Sequence, residues 1–157
     1  MVFVGKTRSG KSSLITSLLT NREVYRNAFH NVIICIPKHS FNSMDEKDNP
    51  FLSLDGEKVY FSFNYETLEH IYQQIIQYAA EEEDTLLLID DFASELKNND
   101  LLKLMNSLVN NRRHLRLSIW MSVQTYKSIP LSNRKTINVL VLFKCTNKAE
   151  IKTCSII

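Results

Sequence analysis

Apolar positions along the chain follow two patterns, short solid runs and longer stretches at helical spacing. Met1–Val4, Asn31–Ile36, Thr85–Ile89, Leu117–Val123 and Ile137–Phe143 are solid runs, as expected of strands covered on both faces. Lys58–Phe63 reads as a further short strand. Between the runs, Leu14, Ile15, Leu18 and Leu19 predict a helix from about Lys11 to Thr20. Leu68, Ile71, Ile75, Ile76 and Ala79 predict a second helix, and Leu101, Leu104, Met105, Leu108 and Val109 a third. Asn98, Asn99 or Asp100 can cap that third helix. Residues 37–58 are polar and punctuated by Pro37, Pro50 and Gly56, which marks a surface excursion. The acidic run Glu81–Asp84 reads as a solvated helix end. Strands alternating with helices predict an α/β fold with a mainly parallel sheet sandwiched by helices. Sites in such folds gather at the strand C-termini.

Composition narrows the picture a little. A chain of 157 residues fits one domain, taken as 1–157, able to bury roughly 70% of its unfolded surface. A net charge of +2 places any nucleic-acid contact in a local basic patch rather than in the overall balance. No apolar run reaches the length of a membrane span. Cys35, Cys145 and Cys154 have no metal-type spacing, and Cys35 and Cys145 sit in or beside apolar runs. Buried free thiols and a reducing, intracellular setting are expected. The abrupt start, with a strand leading straight into a loop, and the end soon after the last strand read as a trimmed core without a secretory leader.

Candidate chemistry begins where the first strand breaks. Gly5-Lys6-Thr7-Arg8-Ser9-Gly10-Lys11-Ser12 matches the phosphate-binding P-loop, G-x-x-x-x-G-K-[ST], between an apolar strand and an amphipathic helix. Backbone N–H groups of the loop and of the first helical turn, Ser13 included, form an anion nest. Gly5 and Gly10 let the backbone approach phosphate. Lys11 reaches the β- and γ-phosphates, and the Ser12 hydroxyl takes a place on Mg²⁺. Arg8 stands where a small residue is frequent. Asp90 and Asp91 end the next solid strand, the Walker B arrangement: Asp90 holds Mg²⁺ and Asp91 orients or deprotonates the attacking water. A bland alternative has Asp91 capping the stretch after it. Gln124 ends the following strand, where an amide can contact the γ-phosphate or place water; a surface Gln opening a loop is the alternative.

Arg112, Arg113, His114 and Arg116 cluster ahead of that strand. They fit an arginine finger toward a neighbouring subunit's nucleotide, phosphate contacts to nucleic acid, or plain complements to a helix C-terminus. Lys127, Arg134 and Lys135 could face DNA, a neighbour or solvent. Tyr60, Phe61, Phe63 and Tyr65 alternate as core residues do, rather than as a base-stacking platform, and Trp120 reads as core. The histidines have no metal spacing.

The P-loop, Leu-Leu-Leu-Ile-Asp-Asp, the Asn111-Arg112-Arg113-His114 stretch and Ser118–Pro130 come in one order. From Gly5 to about Lys144 that order resembles the poxvirus-type genome-packaging ATPases of large DNA viruses, in the FtsK/HerA superfamily. The resemblance implies a RecA-like sheet with the Gln-bearing strand between the P-loop and Walker B strands. It implies ATP and Mg²⁺ as cofactors and a homo-oligomeric ring pumping double-stranded DNA into a capsid or portal vertex. It also implies a place in the host cytoplasm or viral factory and an association with the virion. By position, Lys11 and Ser12 match the nucleotide and metal ligands, Asp90 and Asp91 the Walker B pair, Gln124 the polar sensor, and Arg112 or Arg113 the trans-acting arginine. The rival readings are a small nucleotide kinase and a non-catalytic nucleotide-binding assembly subunit. Residues 37–58 contain no Arg to serve as a kinase lid.

Overall fold

The computed structural model describes residues 1–42, 49–53 and 56–144. Among these residues six strands form one parallel sheet in the order β3-β2-β4-β5-β1-β6. They are β1 (Val2–Val4), β2 (Asn31–Cys35), β3 (Val59–Tyr60), β4 (Thr85–Asp90), β5 (Leu117–Val123) and β6 (Leu140–Leu142). The helices are α1 (Lys11–Thr20), α2 (Lys38–Asn42), α3 (Tyr65–Ala80), α4 (Asn99–Asn111) and α5 (Leu131–Arg134). As the resemblance implies, β5 lies between the P-loop strand β1 and the carboxylate-tipped β4.

The solid apolar runs have their reason here. Successive strand residues point to opposite faces, and both faces are covered. Val2, Val4, Ile33, Leu87, Ile89, Met121 and Val123 pack toward α3 and α4. Phe3, Ile34, Leu86, Leu88 and Trp120 pack toward α1 and the aromatic segment after it. There the Trp120 ring meets Tyr25 edge-on, with centroids 5.0 Å apart. Trp120 is core, and so is Cys35, whose thiol is free and pushed well above its usual pKa by burial. Cys145 and Cys154 lie outside the described residues.

Helix starts divide into two kinds. The Asn64 side chain caps α3 by accepting from the Thr67 N–H at 2.8 Å. Asn98 caps α4, accepting from Asp100 and Leu101. Helix α1 instead begins at Gly10 in the left-handed region (φ 94°), with no side-chain cap. A first turn without a side-chain acceptor keeps its N–H groups for an external anion.

Some elements are shorter than their apolar runs. Of Lys58–Phe63 only Val59 and Tyr60 join the sheet, and of Ile137–Phe143 only Leu140–Leu142 do. Among the described residues, β3 and β6 are the sheet's edges, each with a neighbour on one side. The expectation of core packing for the four aromatics holds fully for Phe63 alone, since Phe61 and Tyr65 are exposed. Ile76 is exposed too, so the buried face of α3 is Leu68, Ile71 and Ile75. The acidic run is more built than a solvated end: Glu83 accepts from Asn31, and Asp84 faces Arg116 at 3.5 Å.

Candidate active site

The strand C-termini bring together residues distant in sequence. The P-loop leaves β1 at Gly5, whose N–H donates to the Val123 carbonyl of β5 at 3.1 Å. Space explains the first glycine: a Cβ there would stand 2.6 Å from Ser9 Oγ and 2.7 Å from Phe143 Cβ. Arg8 adopts φ 63° and is exposed. A left-handed backbone disfavours side chains with a Cβ, which gives the physical reason that glycine would suit this position.

Lys11 is buried at the loop's centre, its Nζ donating to the carbonyls of Gly5 at 2.7 Å and Lys6 at 3.1 Å. An ammonium has three protons, so one remains for a ligand. Ser12 and Asp90 line one small cavity between α1 and β4. Burial pushes the Asp90 carboxyl above its ordinary range, and the charge of Asp91 adds to the rise; Ser122, Lys11 and His39 oppose it without cancelling it. A hard cation beside Asp90 would favour the ionised form. Mg²⁺ is held by one or two carboxylates plus substrate phosphates rather than by an all-protein cage. The donor chemistry fits: one hydroxyl and one buried carboxylate. Among the described residues no cluster of three or more His, Cys, Asp or Glu side chains competes for such an ion.

Asp91 leaves β4 with φ 56°, and its N–H donates to the Ser122 carbonyl at 2.9 Å. This turn aims its carboxylate at β5, where Gln124 Nε2 donates to Asp91 Oδ2 at 2.7 Å. Both side chains are exposed. The two candidates for handling water are thus in direct contact, a pairing that strand order creates and local sequence does not announce. His39, in the helix after β2, is another residue that the sequence pattern passed over; it stands near enough to Asp90 to influence its ionisation.

The arginines are elsewhere. Arg112 follows α4 and accepts the Leu117 N–H on its carbonyl at 2.8 Å, which places it at the start of β5. The strand separates it from Gln124 by roughly 20 Å. Its guanidinium donates to the Val109 carbonyl at 2.7 Å, whereas Arg113 and His114 are exposed. Arg112 and Arg113 therefore do not join the P-loop of their own subunit, and the bond from Arg112 to a last-turn carbonyl of α4 is what a complement to the helix C-terminus makes. Arg134 is structural, donating to the carbonyls of Ile129 and Lys127 and lying over the Tyr126 ring. Lys127 and Lys135 are exposed.

A P-loop on β1, an amide-tipped β5 and a carboxylate-tipped β4, adjacent in a parallel sheet, define a RecA-like P-loop ATPase fold. The chain belongs to the poxvirus A32 protein family, whose model matches residues 1–155. No curated protein matches it in sequence. Among solved structures it is similar to B204, the DNA-packaging ATPase from Sulfolobus turreted icosahedral virus. There the TM-score is 0.73 and identity 16%, over 98% of this chain and 79% of that one. The genome-packaging NTPase B204 of Sulfolobus turreted icosahedral virus 2, in complex with ATP-gammaS, gives 0.68 at 19% identity, over 98% and 79%. EssC (ATPases 2 and 3) from Geobacillus thermodenitrificans gives 0.67 at 13% identity, over 97% of this chain and 33% of that one. At these identities the likeness speaks for the fold.

Proposed function

We propose that the protein is the ATP-hydrolysing motor of viral genome packaging, working on double-stranded DNA as a ring of identical subunits at a capsid or portal vertex. The observation that carries the catalytic part is the meeting of Lys11, Ser12, Asp90, Asp91 and Gln124 at one sheet edge, with Gln124 on Asp91 at 2.7 Å. Family membership and the packaging role of B204 support the biological part.

In this reading the triphosphate lies in the P-loop, with Gly5 to Ser13 supplying backbone donors and Lys11 its charge. Ser12 and Asp90 would hold Mg²⁺, which would supply charge to neutralise the triphosphate. Asp91 accepts a proton from the attacking water or orients it, and Gln124 fixes the Asp91 carboxylate while offering its amide to the γ-phosphate side. An arginine at the opposite sheet edge, Arg113 or Arg112, completes the site of a neighbouring subunit and stabilises charge there. Loss of the γ-phosphate then alters subunit contacts, and basic loops change their hold on DNA phosphates. Such a motor works where the genome is packaged, in the host cytoplasm or viral factory, and stays associated with the assembling virion. Among the described residues no helix is long and apolar enough to cross a membrane.

Steady-state ATP hydrolysis with and without double-stranded DNA, across a salt series, tests this. Stimulation by DNA that fades with rising salt is the expected result. Hydrolysis indifferent to DNA would remove the translocation step, and nucleotide binding without hydrolysis would leave an assembly subunit.

A further inference from the structure

The residues assigned so far all handle phosphates. A nucleoside triphosphate is elongated, with its base at the far end from the γ-phosphate. Its γ end belongs on the β4–β5 side of β1, where Asp90, Asp91 and Gln124 stand. The base then extends to the other side of β1, over β6.

One aromatic ring stands there. Phe143 follows β6 directly, and its N–H donates to the Val4 carbonyl at 2.9 Å, which fixes it beside the mouth of the P-loop. Its side chain lies across both P-loop glycines. A Cβ on Gly5 would stand 3.3 Å from Phe143 Cγ, and one on Gly10 3.8 Å from Cε1. The ring is half-buried against the α1-side core, so part of it remains open next to the phosphate loop. Other rings near the strand tips are already matched with each other on the far side of the sheet: Phe41 with Phe61 at 5.5 Å and Phe63 with Phe92 at 5.9 Å.

We propose that Phe143 is the platform on which the nucleotide base stacks. The proposal rests on the P-loop being the nucleotide site and adds the base end of the ligand to it. Stacking on an aromatic ring needs only a π-face and contributes about tenfold or more in affinity per base. The same ring closes over Gly5 and Gly10, so base binding and loop position are coupled through one side chain.

Calorimetric titration with two ligands, Mg·ATP and Mg·tripolyphosphate, separates stacking from bracing. Phe143→Leu keeps an apolar side chain over the glycines and removes the ring; Phe143→Tyr keeps the ring. The leucine variant is expected to lose about tenfold in ATP affinity, with tripolyphosphate affinity unchanged and the tyrosine variant close to wild type. In turnover the leucine variant should raise KM for ATP at constant kcat. Equal weakening of both ligands would make Phe143 a brace only, and unchanged ATP affinity would remove it from the site; either result overturns the proposal. Wild-type protein that binds neither ligand would instead overturn the P-loop reading beneath it.

Discussion

The two ends of the parallel strands treat charge in opposite ways. At the N-terminal ends, polar groups answer one another: Arg116 and His30 face Asp84, Asn31 donates to Glu83, and Lys58 donates to Asn31. Arg112 is held by a carbonyl. At the C-terminal ends a buried lysine, a buried carboxylate and an exposed carboxylate stand close together, yet among the described residues no salt bridge joins them. Helix α1, which starts there at Gly10, has no side-chain cap. Charges that satisfy each other hold a structure together. Charges left without a mutual ion pair, with the Asp90 carboxyl pushed up by burial, are arranged for something that arrives.

This contrast can be broken at several points. Lys11→Ala strikes the C-terminal edge hardest: hydrolysis should fall at least about a hundredfold, as when a preorganised charge-stabilising donor is removed, and equilibrium nucleotide titration should show weaker binding. Turnover at the wild-type rate would remove the P-loop from the chemistry. Asp91→Asn should slow single-turnover hydrolysis by about a hundredfold while nucleotide affinity stays near wild type. Gln124→Ala should cost roughly tenfold, the worth of one hydrogen bond to a charged group. Combined with Asp91→Asn it should add little, because the two side chains act on each other. Additive losses in that double-mutant cycle would show them working separately.

The opposite edge should respond differently. Arg113→Ala is expected to leave nucleotide binding intact and to lower hydrolysis only in an assembled form. Mixing it with Lys11→Ala subunits should restore part of the rate, and no recovery at any mixing ratio would count against an arginine acting in trans. The smallest effect is expected from Asp84→Asn. Its partners are exposed, so chemical denaturation should report a loss of no more than about 1 kcal/mol, with hydrolysis unchanged.

What could be read from sequence follows from how far each signal reaches. The P-loop is one contiguous stretch, and its strand–loop–helix context is local, so Gly5 to Ser13 stand out unaided. β4, β5 and α4 were legible because they are central or strongly periodic, and β5 runs over the expected Leu117–Val123. Edge elements were not, because an apolar run says nothing about how many neighbours it will find; β3 keeps two residues of its run and β6 three. The contact of Gln124 with Asp91 and the position of Phe143 over Gly5 depend on strand order. A linear pattern names such residues without saying which of them meet.

The brevity of those two edge strands bears on how copies of the chain can associate. A long, flat, unpaired strand is a template for adding a foreign strand. Here the described sheet closes on one side with Val59–Tyr60 and on the other with Leu140–Leu142. Among the described residues, neither margin is a long strand of that kind. For the ring proposed above, contacts through side chains and loops would suit these described margins better than a shared sheet, because they can shift by small steps and be remade without unzipping backbone pairs.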